Sequence, residues 1–437
     1  MADTLAARHH DAAVDPESAA RLAGTGLGLS VIANDGDDFA GWHDAVRRGF
    51  LDTTATPAQR DATRDAWRSR RLLGVRDPSG PVPQWPVGTF SSWIGMLSVP
   101  GGEVPSCAIS SVTVAPTHRR RGIARAMMEG ELRVAASLGV PVASLTASEA
   151  PLYGRYGFAA AASVAEVDID IKRTGWAGPT PAGRVDFITR EGWRAVVPEV
   201  FERVRVARGG EFSMPDGHWD RFAGTRADAE HPERLRAVQV TDPSGVVRGA
   251  ALYTVTENEA DFTKSRVDVQ SLITDGDDAY AALWRFFVEL DLVQIVHAAE
   301  LSIDEPLLWM LTDRRAATVT VYDHHYVRIL DVPAALQARR YRRSGRILLV
   351  ITDPLGIAEG RFVMTVDDDG TAVVVPAGAR ATATITVEAG IAELSALLLG
   401  QVSARVLAAA GRIRATDAAA FDDVFRWDPP ARLSYWY

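Results

Sequence analysis

The sequence predicts a mixed α/β (α+β) chain built from several domains, and three observations support that prediction. The chain has 437 residues, which is long for one hydrophobic core and suggests two to four domains. Short apolar runs typical of strands alternate with segments of helical periodicity over most of the length. A segment rich in glycine, proline and threonine, residues 174–183, indicates a linker between two such regions.

The composition is that of a globular protein, with 47% hydrophobic and 24% charged residues. The net charge of −9 argues against a nucleic-acid partner and is weakly in favour of a cationic substrate. Apolar runs are all shorter than the roughly 20 residues that cross a bilayer, and no signal pattern is present, so we expect no membrane partner and a cytoplasmic location. With Cys107 as the single cysteine and the histidines scattered, we expect no disulfide and no metal site.

Residues 1–26 are polar, Ala-rich and aperiodic, and they predict a flexible tail. We expect a first domain over residues 27–173. Its predicted strands cover residues 27–32, 73–75, 89–97, 108–114, 142–146 and 164–171, and its predicted helices cover 39–51, about 57–72 and a segment that begins at 122.

Two further domains are expected, at residues 174–330 and 331–437. The second repeats strands around a helix, with strands predicted at 246–255 and 266–273 and a helix at 277–290. The third predicts helices at 332–341, 390–399 and 402–410, and strands at 347–353, 360–367, 371–375 and 383–388. Its end, A-R-L-S-Y-W-Y, is aromatic where chain ends are usually polar, which predicts that the last residues are buried.

The stretch with the clearest chemistry is residues 106–125, where an apolar run ends and a basic loop leads into a helix at Gly122. The first turn of a helix carries N–H groups without intrahelical partners, and the helix dipole places partial positive charge there. A diphosphate can accept several of those donors, and Gly122, which has no Cβ, permits its close approach. The arginines add permanent positive charge. These features predict a phosphate-bearing cofactor, the alternative being a solvated basic turn.

The spacing narrows the choice of cofactor, because neither G-x-x-x-x-G-K-[ST] nor G-x-G-x-x-G is present. The sequence Arg119-x-x-Gly122-x-Ala124 after V-T-V-A-P resembles the acetyl-CoA loop of the GNAT N-acetyltransferases, Q/R-x-x-G-x-G/A. The resemblance implies acetyl-CoA as cosubstrate, with the strand end beside pantetheine and the loop around the diphosphate. The residues so implied are Val112, Thr113 and Val114 in the strand, and Arg119, Arg120, Arg121, Gly122, Ile123, Ala124 and Arg125 in the loop.

A second motif, S-E-A-P-L-Y-G-R-Y-G-F, follows the predicted strand at 142–146. In the second domain the matching loop reads S-L-I-T-D-G-D-D, whose acids would repel a diphosphate, so a second GNAT-like fold there would be degenerate. The third domain resembles a sterol-carrier-protein-like domain. Together these features resemble the enhanced-intracellular-survival (Eis) N-acetyltransferases over residues 27–437, which implies an aminoglycoside or other polyamine as acceptor and a homo-hexamer.

The resemblance also implies roles for individual residues. Tyr153 would protonate the leaving thiolate of CoA, and the α-carboxylate of Tyr437, ionised at neutral pH with a reference pKa of about 3.5, would accept the proton of the amine. The residues implied beside the cofactor are Ser148, Glu149 and Arg155, and those implied as walls of the acceptor pocket are Trp42, Phe50 and Trp67. Burial in a core remains the alternative for the aromatic residues and for Tyr153, and a helix-start acid the alternative for Glu149.

Three functions stay open at this point. The first is an N-acetyltransferase for aminoglycosides or similar polyamines, and the second is a protein-lysine acetyltransferase with the same machinery. The third is a lipid-binding protein, in which the third domain has an apolar tunnel and the acetyltransferase domain is vestigial. The intact loop around Gly122 and the presence of Tyr153 argue against the third function.

Overall fold

The computed structural model describes residues 2–229 and 231–437, which form two compact units. The first unit runs up to Ala162, continues over His324–Asp428 and ends with Trp436–Tyr437. The second comprises Ser163–Asp323 and Pro429–Tyr435. These units do not follow the domain boundaries predicted at 173/174 and 330/331, because strand pairing rather than linker composition decides which residues share a core.

The N-terminal part of the first unit is a sheet with helices around it. Strands β1 to β4 pair antiparallel in chain order, and β4 then pairs parallel with β5. The elements are α1 (Ala2–His10), α2 (Pro16–Ala23), β1 (Gly28–Ile32), α3 (Asp38–Gly49), α4 (Pro57–Ala66), β2 (Arg71–Arg76), β3 (Pro86–Val99), β4 (Gly102–Val114), α5 (Ile123–Ser137) and β5 (Val142–Thr146).

The flexible tail predicted at residues 1–26 is wrong for the described part of that segment, because residues 2–23 form α1 and α2. His9 is buried, and its Nε2 lies 2.7 Å from the carboxylate of Glu131 on α5. Asp15 caps α2 and forms an ion pair of 2.6 Å with Arg133, also on α5. The polar residues that suggested a solvated tail therefore have partners on α5, which lies more than 100 residues further along the chain.

In the second unit the strands pair in the order β6-β11-β10-β9-β8-β7, with β10 and β11 parallel. Its core packs around the fully buried side chains of Trp284 and Phe287 on α8. The elements are β6 (Ala159–Asp170), β7 (Arg184–Ile188), α6 (Arg190–Arg205), α7 (Asp216–Phe222), β8 (Arg236–Thr241), β9 (Val247–Thr256), β10 (Ser265–Thr274), α8 (Asp277–Val288) and β11 (Val293–Leu301).

The chain then returns to the first unit. The end of β12 pairs antiparallel with β5, and a separate five-stranded sheet has the order β15-β14-β13-β16-β17. The elements are β12 (Ala317–Ile329), α9 (Val332–Gln337), β13 (Gly345–Thr352), β14 (Gly360–Val366), β15 (Ala372–Pro376), β16 (Ile385–Gly390), α10 (Ile391–Leu397), α11 (Ala404–Ala409), β17 (Ile413–Ala415) and α12 (Ala418–Phe425). None of the helices in the described residues combines the length and the apolar character that crossing a bilayer requires.

A buried arginine fixes the interior of this C-terminal region. Arg339 is 1% exposed, and it donates to the carbonyl groups of Leu397 and Leu398 at 2.9 and 2.6 Å and of Phe425 at 2.7 Å. These carbonyls lie at the ends of α10 and α12, where the helix dipoles favour a cation. Burial lowers the pKa of Arg339 to about 10, so the guanidinium stays charged at neutral pH.

Candidate active site

Strands β4 and β5 separate at the end where the site is predicted. Their parallel pairing runs from Ser106 and Val142 to Ile109 and Leu145, after which β4 continues with a bulge. Ser111 in the bulge has φ +54, and its carbonyl accepts a hydrogen bond of 2.9 Å from Thr89 on β3. The half-buried end of β4, which contains Val112, Thr113 and Val114, therefore extends beyond its pairing with β5.

The loop between β4 and α5, residues 117–125, forms the turn that the sequence predicts and is called the cofactor loop below. Gly122 is the N-cap of α5 with φ +80, and a Cβ added there would meet no atom within 4 Å. The first helical hydrogen bond runs from Ala126 N–H to the Gly122 carbonyl, at 2.9 Å, so the N–H groups of residues 123–125 precede it. The space above the glycine and these donors fit a diphosphate.

Arg121 holds the cofactor loop in place. Its guanidinium donates to Asp77 at 3.2 Å and to the Thr25 carbonyl at 3.1 Å. His118 also contacts Asp77, at 3.1 Å. Hydrogen bonds from Ser79 and His118 hold the pKa of Asp77 well below its usual range. Arg121 and His118 therefore have a structural part in the loop.

The other residues of the cofactor loop differ in what they can offer a ligand. The Ile123 side chain is buried and Ala124 is half-buried, so these residues present chiefly their backbone. Arg125 forms an ion pair of 2.7 Å with Glu129. Arg119 and Arg120 are exposed, and the ion pairs found in residues 2–229 and 231–437 include neither. These two arginines are the side chains best placed to meet an anion.

Tyr153 joins two short 3-10 turns, Ala150–Leu152 and Gly154–Tyr156, that follow β5. Its half-buried ring packs against Phe158 and against Tyr326 of β12, with ring centroids 6.3 and 6.2 Å away. The motif therefore forms a packed turn beside the C-terminal end of β5, called the tyrosine turn below (residues 150–157).

The surroundings of Tyr153 keep its phenol protonated. Burial raises the pKa of the phenol, and the negative charge of Glu149 raises it further, while a hydrogen bond with Ser148 acts in the opposite direction. Ser148, Glu149 and Arg155 are exposed around this group. A neutral phenol at this position can donate a proton.

Tyr437 lies against β5. One oxygen of its carboxyl group accepts a hydrogen bond of 2.9 Å from Thr146 Oγ1. Its hydroxyl donates to Ser144 at 2.8 Å and lies 2.8 Å from Nε2 of His325 on β12. Burial raises the pKa of the Tyr437 phenol, against the effect of the Ser144 bond. The predicted burial of the last residues is found for Tyr435, whereas Tyr437 is half-buried and Trp436 is 43% exposed.

Neighbouring residues of β12 contact the two candidate catalytic tyrosines. His325, which contacts Tyr437, pairs with Thr146, and the next residue, Tyr326, pairs with Leu145 and contacts Tyr153. His325 was not among the site residues predicted from the sequence. The alternation of β-branched residues in T-V-T-V-Y-D, just before it, was a strand signal that could have found β12.

The aromatic residues predicted as walls of the acceptor pocket behave differently. Trp42 is fully buried, and its indole N–H donates to the Leu73 carbonyl at 2.7 Å. The prediction for Trp42 is therefore wrong, because this side chain belongs to the core. Phe50 is 56% exposed at the end of α3, and Trp67 is half-buried beneath the guanidinium of Arg70, 4.5 Å away. For Phe50 and Trp67 the acceptor role stays a prediction.

Arg70 and Trp93 form a further part of this site that the sequence did not indicate. The guanidinium of Arg70 lies 3.9 Å from the ring centroid of Trp93. The Trp93 ring in turn meets the ring of Tyr437 edge to face, with centroids 5.4 Å apart. A stacked cation thus borders the place where Tyr437 is held.

Two groups of possible metal ligands occur in the described residues, His9–Cys107–Glu131 and Glu166–Asp168–His297. In the first, the Glu131 carboxylate also accepts from Arg71 at 3.2 Å and from Ser92 at 2.6 Å. Burial raises the pKa of the Cys107 thiol well above its usual range, which disfavours the thiolate that metals bind. This group is a hydrogen-bonded part of the core. In the second, Arg266 lies 3.0 Å from Asp168.

Family models match the chain along most of its length. A model described as an acetyltransferase (GNAT) domain matches residues 31–161, and another with the same description matches residues 210–329. A sterol carrier protein domain model matches residues 332–433. The predicted fold class, two GNAT-like domains followed by a sterol-carrier-like domain, is confirmed. The exact domain boundaries stay a prediction.

Related proteins and a solved structure support the same assignment as the family models. An uncharacterized N-acetyltransferase from Streptomyces avermitilis is 38% identical over 386 residues, covering 86% of this chain and 90% of the relative. N-acetyltransferase Eis from Mycobacterium tuberculosis is 32% identical over 410 residues, covering 91% and 97%. The crystal structure of Eis1 from Mycobacterium abscessus superposes with a TM-score of 0.77 at 26% identity, over 94% of this chain and all of the other. The chain therefore belongs to the Eis family of GNAT N-acetyltransferases.

Proposed function

We propose that this acetyltransferase moves the acetyl group of acetyl-CoA to an amine of an aminoglycoside or a similar polyamine. Tyr153 is the acid and the α-carboxylate of Tyr437 is the base. The observation that carries the proposal is that both groups contact β5 or the strand paired with it, near the C-terminal end of β5. A protonated phenol stands beside the strand, and the carboxyl group of Tyr437 is held on Thr146, its last residue.

The GNAT fold implies acetyl-CoA as cosubstrate, and the chain has the groups to hold it. The N–H groups of residues 123–125 and the exposed side chains of Arg119 and Arg120 would receive the diphosphate. The separated end of β4, residues 112–114, would pair with the pantetheine amides. Bound in this way, acetyl-CoA supplies an activated acetyl group at the point where β4 and β5 part.

The chain's own residues then manage two protons. An amine attacks only when it is neutral, so a base must take its proton, and a carboxylate with a reference pKa of about 3.5 is ionised at neutral pH. This role requires that Tyr437 carry a free α-carboxylate. Tyr153 keeps its proton because its pKa is raised, and it donates that proton to the departing sulfur.

A cationic, polyamine-like acceptor is supported by three considerations. The chain has a net charge of −9, which favours the approach of cations, although it says little about one pocket. A carboxylate held at the end of β5 also attracts an ammonium group before the proton leaves it. The resemblance to the Eis family points to the same acceptor class. It also leads us to propose a homo-hexamer, which light scattering would detect as six chains of 47.2 kDa each.

The proposal is tested by CoA release from acetyl-CoA with tobramycin as acceptor. Tyr153→Phe should lower kcat by about 10² to 10⁴, because the ring remains while the proton donor is lost. Extension of the chain by one glycine after Tyr437 should lower kcat comparably, because the carboxylate becomes an amide and the charge moves by one residue. Tyr253→Phe, at a buried tyrosine of the second unit, is the matched control and should leave kcat unchanged.

Each outcome decides one part of the proposal. Full activity of the extended protein would remove Tyr437 as the base, and full activity of Tyr153→Phe would remove the acid. A wild-type protein that acetylates lysine-bearing peptides and not tobramycin would favour the protein-lysine function. Turnover with neither class of amine would contradict both.

A further inference from the structure

Arg328, the next-to-last residue of strand β12, is fully buried, and its guanidinium makes three hydrogen bonds. Its Nε donates to the Tyr156 carbonyl at 2.8 Å, and its Nη2 donates to Asp353 at 2.6 Å. Its Nη1 donates to the carbonyl of Ile329. Neither Arg328 nor the Asp353 side chain is accessible to solvent. The guanidinium therefore joins the tyrosine turn to residues of the sterol-carrier-like domain.

Asp353 organises a loop of that domain. Besides Arg328, its carboxylate accepts from the N–H groups of Leu355 at 3.1 Å, Ile357 at 3.0 Å and Ala358 at 2.8 Å. Leu355 and Ile357 pack against the same apolar cluster as Tyr153. The loop after β13 thus contributes both the counter-charge of Arg328 and part of the packing around the candidate acid.

The tyrosine turn is shaped to fit against Arg328. Gly157 has φ +86, and a Cβ added there would lie 2.6 Å from Arg328 Nε and 2.8 Å from a side-chain carbon of Ile391, so a side chain is excluded. Within the turn, the Tyr156 N–H donates to the Tyr153 carbonyl at 3.0 Å. Two hydrogen bonds, with Tyr156 between them, therefore connect the Arg328 guanidinium to the backbone of Tyr153.

The energetics indicate that this ion pair serves geometry rather than stability. Taking two charges out of water costs several kcal/mol for each ion, and apolar residues of similar size are often as stabilising. What an apolar pair does not provide is a directed bond to the Tyr156 carbonyl, which fixes the turn in one place.

We propose that Arg328 and Asp353 are positioning residues for Tyr153, and that the sterol-carrier-like domain serves the acetyl transfer by holding the tyrosine turn. This inference rests on the proposed role of Tyr153 as the acid. It assigns the third domain a part in the reaction that needs no lipid ligand.

The test compares Arg328→Met, Asp353→Leu and the double variant. Each single variant leaves one buried charge without its partner, so both the unfolding midpoint and kcat should fall. The double variant removes both charges, so its unfolding midpoint should lie above that of either single variant, although below wild type because the loop N–H groups lose their acceptor. Its kcat should stay at least about tenfold below wild type, with the KM for acetyl-CoA within about twofold. If the single variants fail to fold, the double variant carries the test.

Arg339→Met is the matched control, since Arg339 is equally buried but bonds to helix-end carbonyls remote from the tyrosine turn in sequence. It should lower the unfolding midpoint and leave the kcat of the folded protein unchanged. A double variant with wild-type kcat would overturn the proposal, because the position of Tyr153 would then not depend on the ion pair of Arg328 and Asp353. An Arg339 variant whose kcat falls as far as that of the double variant would also overturn it.

A readout independent of turnover is the titration of Tyr153 by carbon NMR of protein labelled at the tyrosine Cζ, with Tyr153→Phe assigning the signal. In the double variant the phenol should be less enclosed, so its pKa should move down towards the ordinary value of about 10. An unmoved pKa would overturn the proposal. If wild type shows no turnover with any amine, the proposed function fails, and this titration still decides whether the pair positions Tyr153.

Discussion

The two GNAT-like regions contain the same strand–turn–helix unit with opposite charge. In the first, β4 leads through three arginines to Gly122 and α5, and in the second, β10 leads through T-D-G-D-D to α8. Both helices have a glycine N-cap at positive φ, +80 at Gly122 and +102 at Gly276, and an added Cβ would meet nothing within 4 Å at either. The ψ angles of the two glycines differ, at 7 for Gly122 and 162 for Gly276, so the turns share only the positive φ and the open space above the glycine.

The acids of the second turn are already used by the chain itself. Asp278 accepts hydrogen bonds from the N–H groups of Ala182 at 2.9 Å and Gly183 at 3.0 Å, so it fastens the end of the linker. Asp275 pairs with Arg248 at 3.0 Å. A helix N-terminus attracts an external anion when no carboxylate of the protein has taken that place. The two turns therefore differ in charge, in addition to the ψ angle of their glycines.

The two regions also differ in the segments that follow β5 and β11. β5 is followed by a 3-10 turn that leads to Tyr153, and β11 is followed by the 3-10 turn Pro306–Trp309. Trp309 is 74% exposed, beneath the guanidinium of Arg314. An indole N–H is only a hydrogen-bond donor and has no proton to transfer near neutral pH. The second region therefore lacks both the arginines and the tyrosine on which the proposed function of the first region depends.

The largest difference between the two turns is expected when each N-cap glycine is replaced by valine. Gly122→Val should raise the KM for acetyl-CoA at least about tenfold, because the left-handed conformation costs roughly 1–2 kcal/mol for a side chain and the new methyl groups fill the phosphate space. Gly276→Val, the control, carries at least as much backbone strain, because φ +102 with ψ 162 lies in a region that is essentially restricted to glycine, and it should leave that KM unchanged. Steady-state kinetics measure both, and an equal rise in the two variants would show that strain alone accounts for the effect.

A smaller effect is expected on stability in the second region. Asp278→Ala should lower the free energy of unfolding by about 1 kcal/mol, because two linker N–H groups lose their acceptor. Asp277→Ala, at the preceding exposed acid of the same helix turn, should cost only a few tenths of a kcal/mol. Urea unfolding followed by circular dichroism compares the two, and equal losses would mean that the linker contacts of Asp278 add nothing.

The smallest effect concerns the pH dependence set by the tyrosine turn. The acid must be protonated to act, so activity is lost as pH rises through the pKa of Tyr153, and the charge of Glu149 raises that pKa. Glu149→Gln should therefore move the alkaline limb of the kcat profile to lower pH. Glu289→Gln, in an exposed ion pair of the second region, should leave the limb in place. A limb that does not move in Glu149→Gln would contradict Tyr153 as the titrating acid.

The sequence predicted best where the determinants are contiguous. β4, the cofactor loop and the start of α5 follow one another within residues 102–125, so an apolar run, a glycine and a helical period were enough to place them. The same holds for β5 and for strands β13 to β16 of the sterol-carrier-like domain. These signals are local, so each can be recognised within a single segment of the sequence.

What the sequence missed depends on partners far along the chain. His9 lies in a polar segment, and its contact with Glu131, 122 residues later, accounts for the burial of this one side chain of α1. His325 reaches the site because β12 pairs with β5, a strand some 180 residues earlier. Trp42 was taken for a pocket wall because an aromatic helix face has the same pattern whether it meets a ligand or a core. Non-local pairing and burial are the properties that periodicity does not encode.

The burial of Cys107 has a practical consequence for measuring this enzyme. It is the only cysteine in the chain, it is 1% exposed, and burial together with the charge of Glu131 keeps its thiol protonated. Chromogenic reagents that react with thiolates will therefore not react with the folded protein. Released CoA can be followed continuously with such reagents at high enzyme concentration, without a background signal from the catalyst.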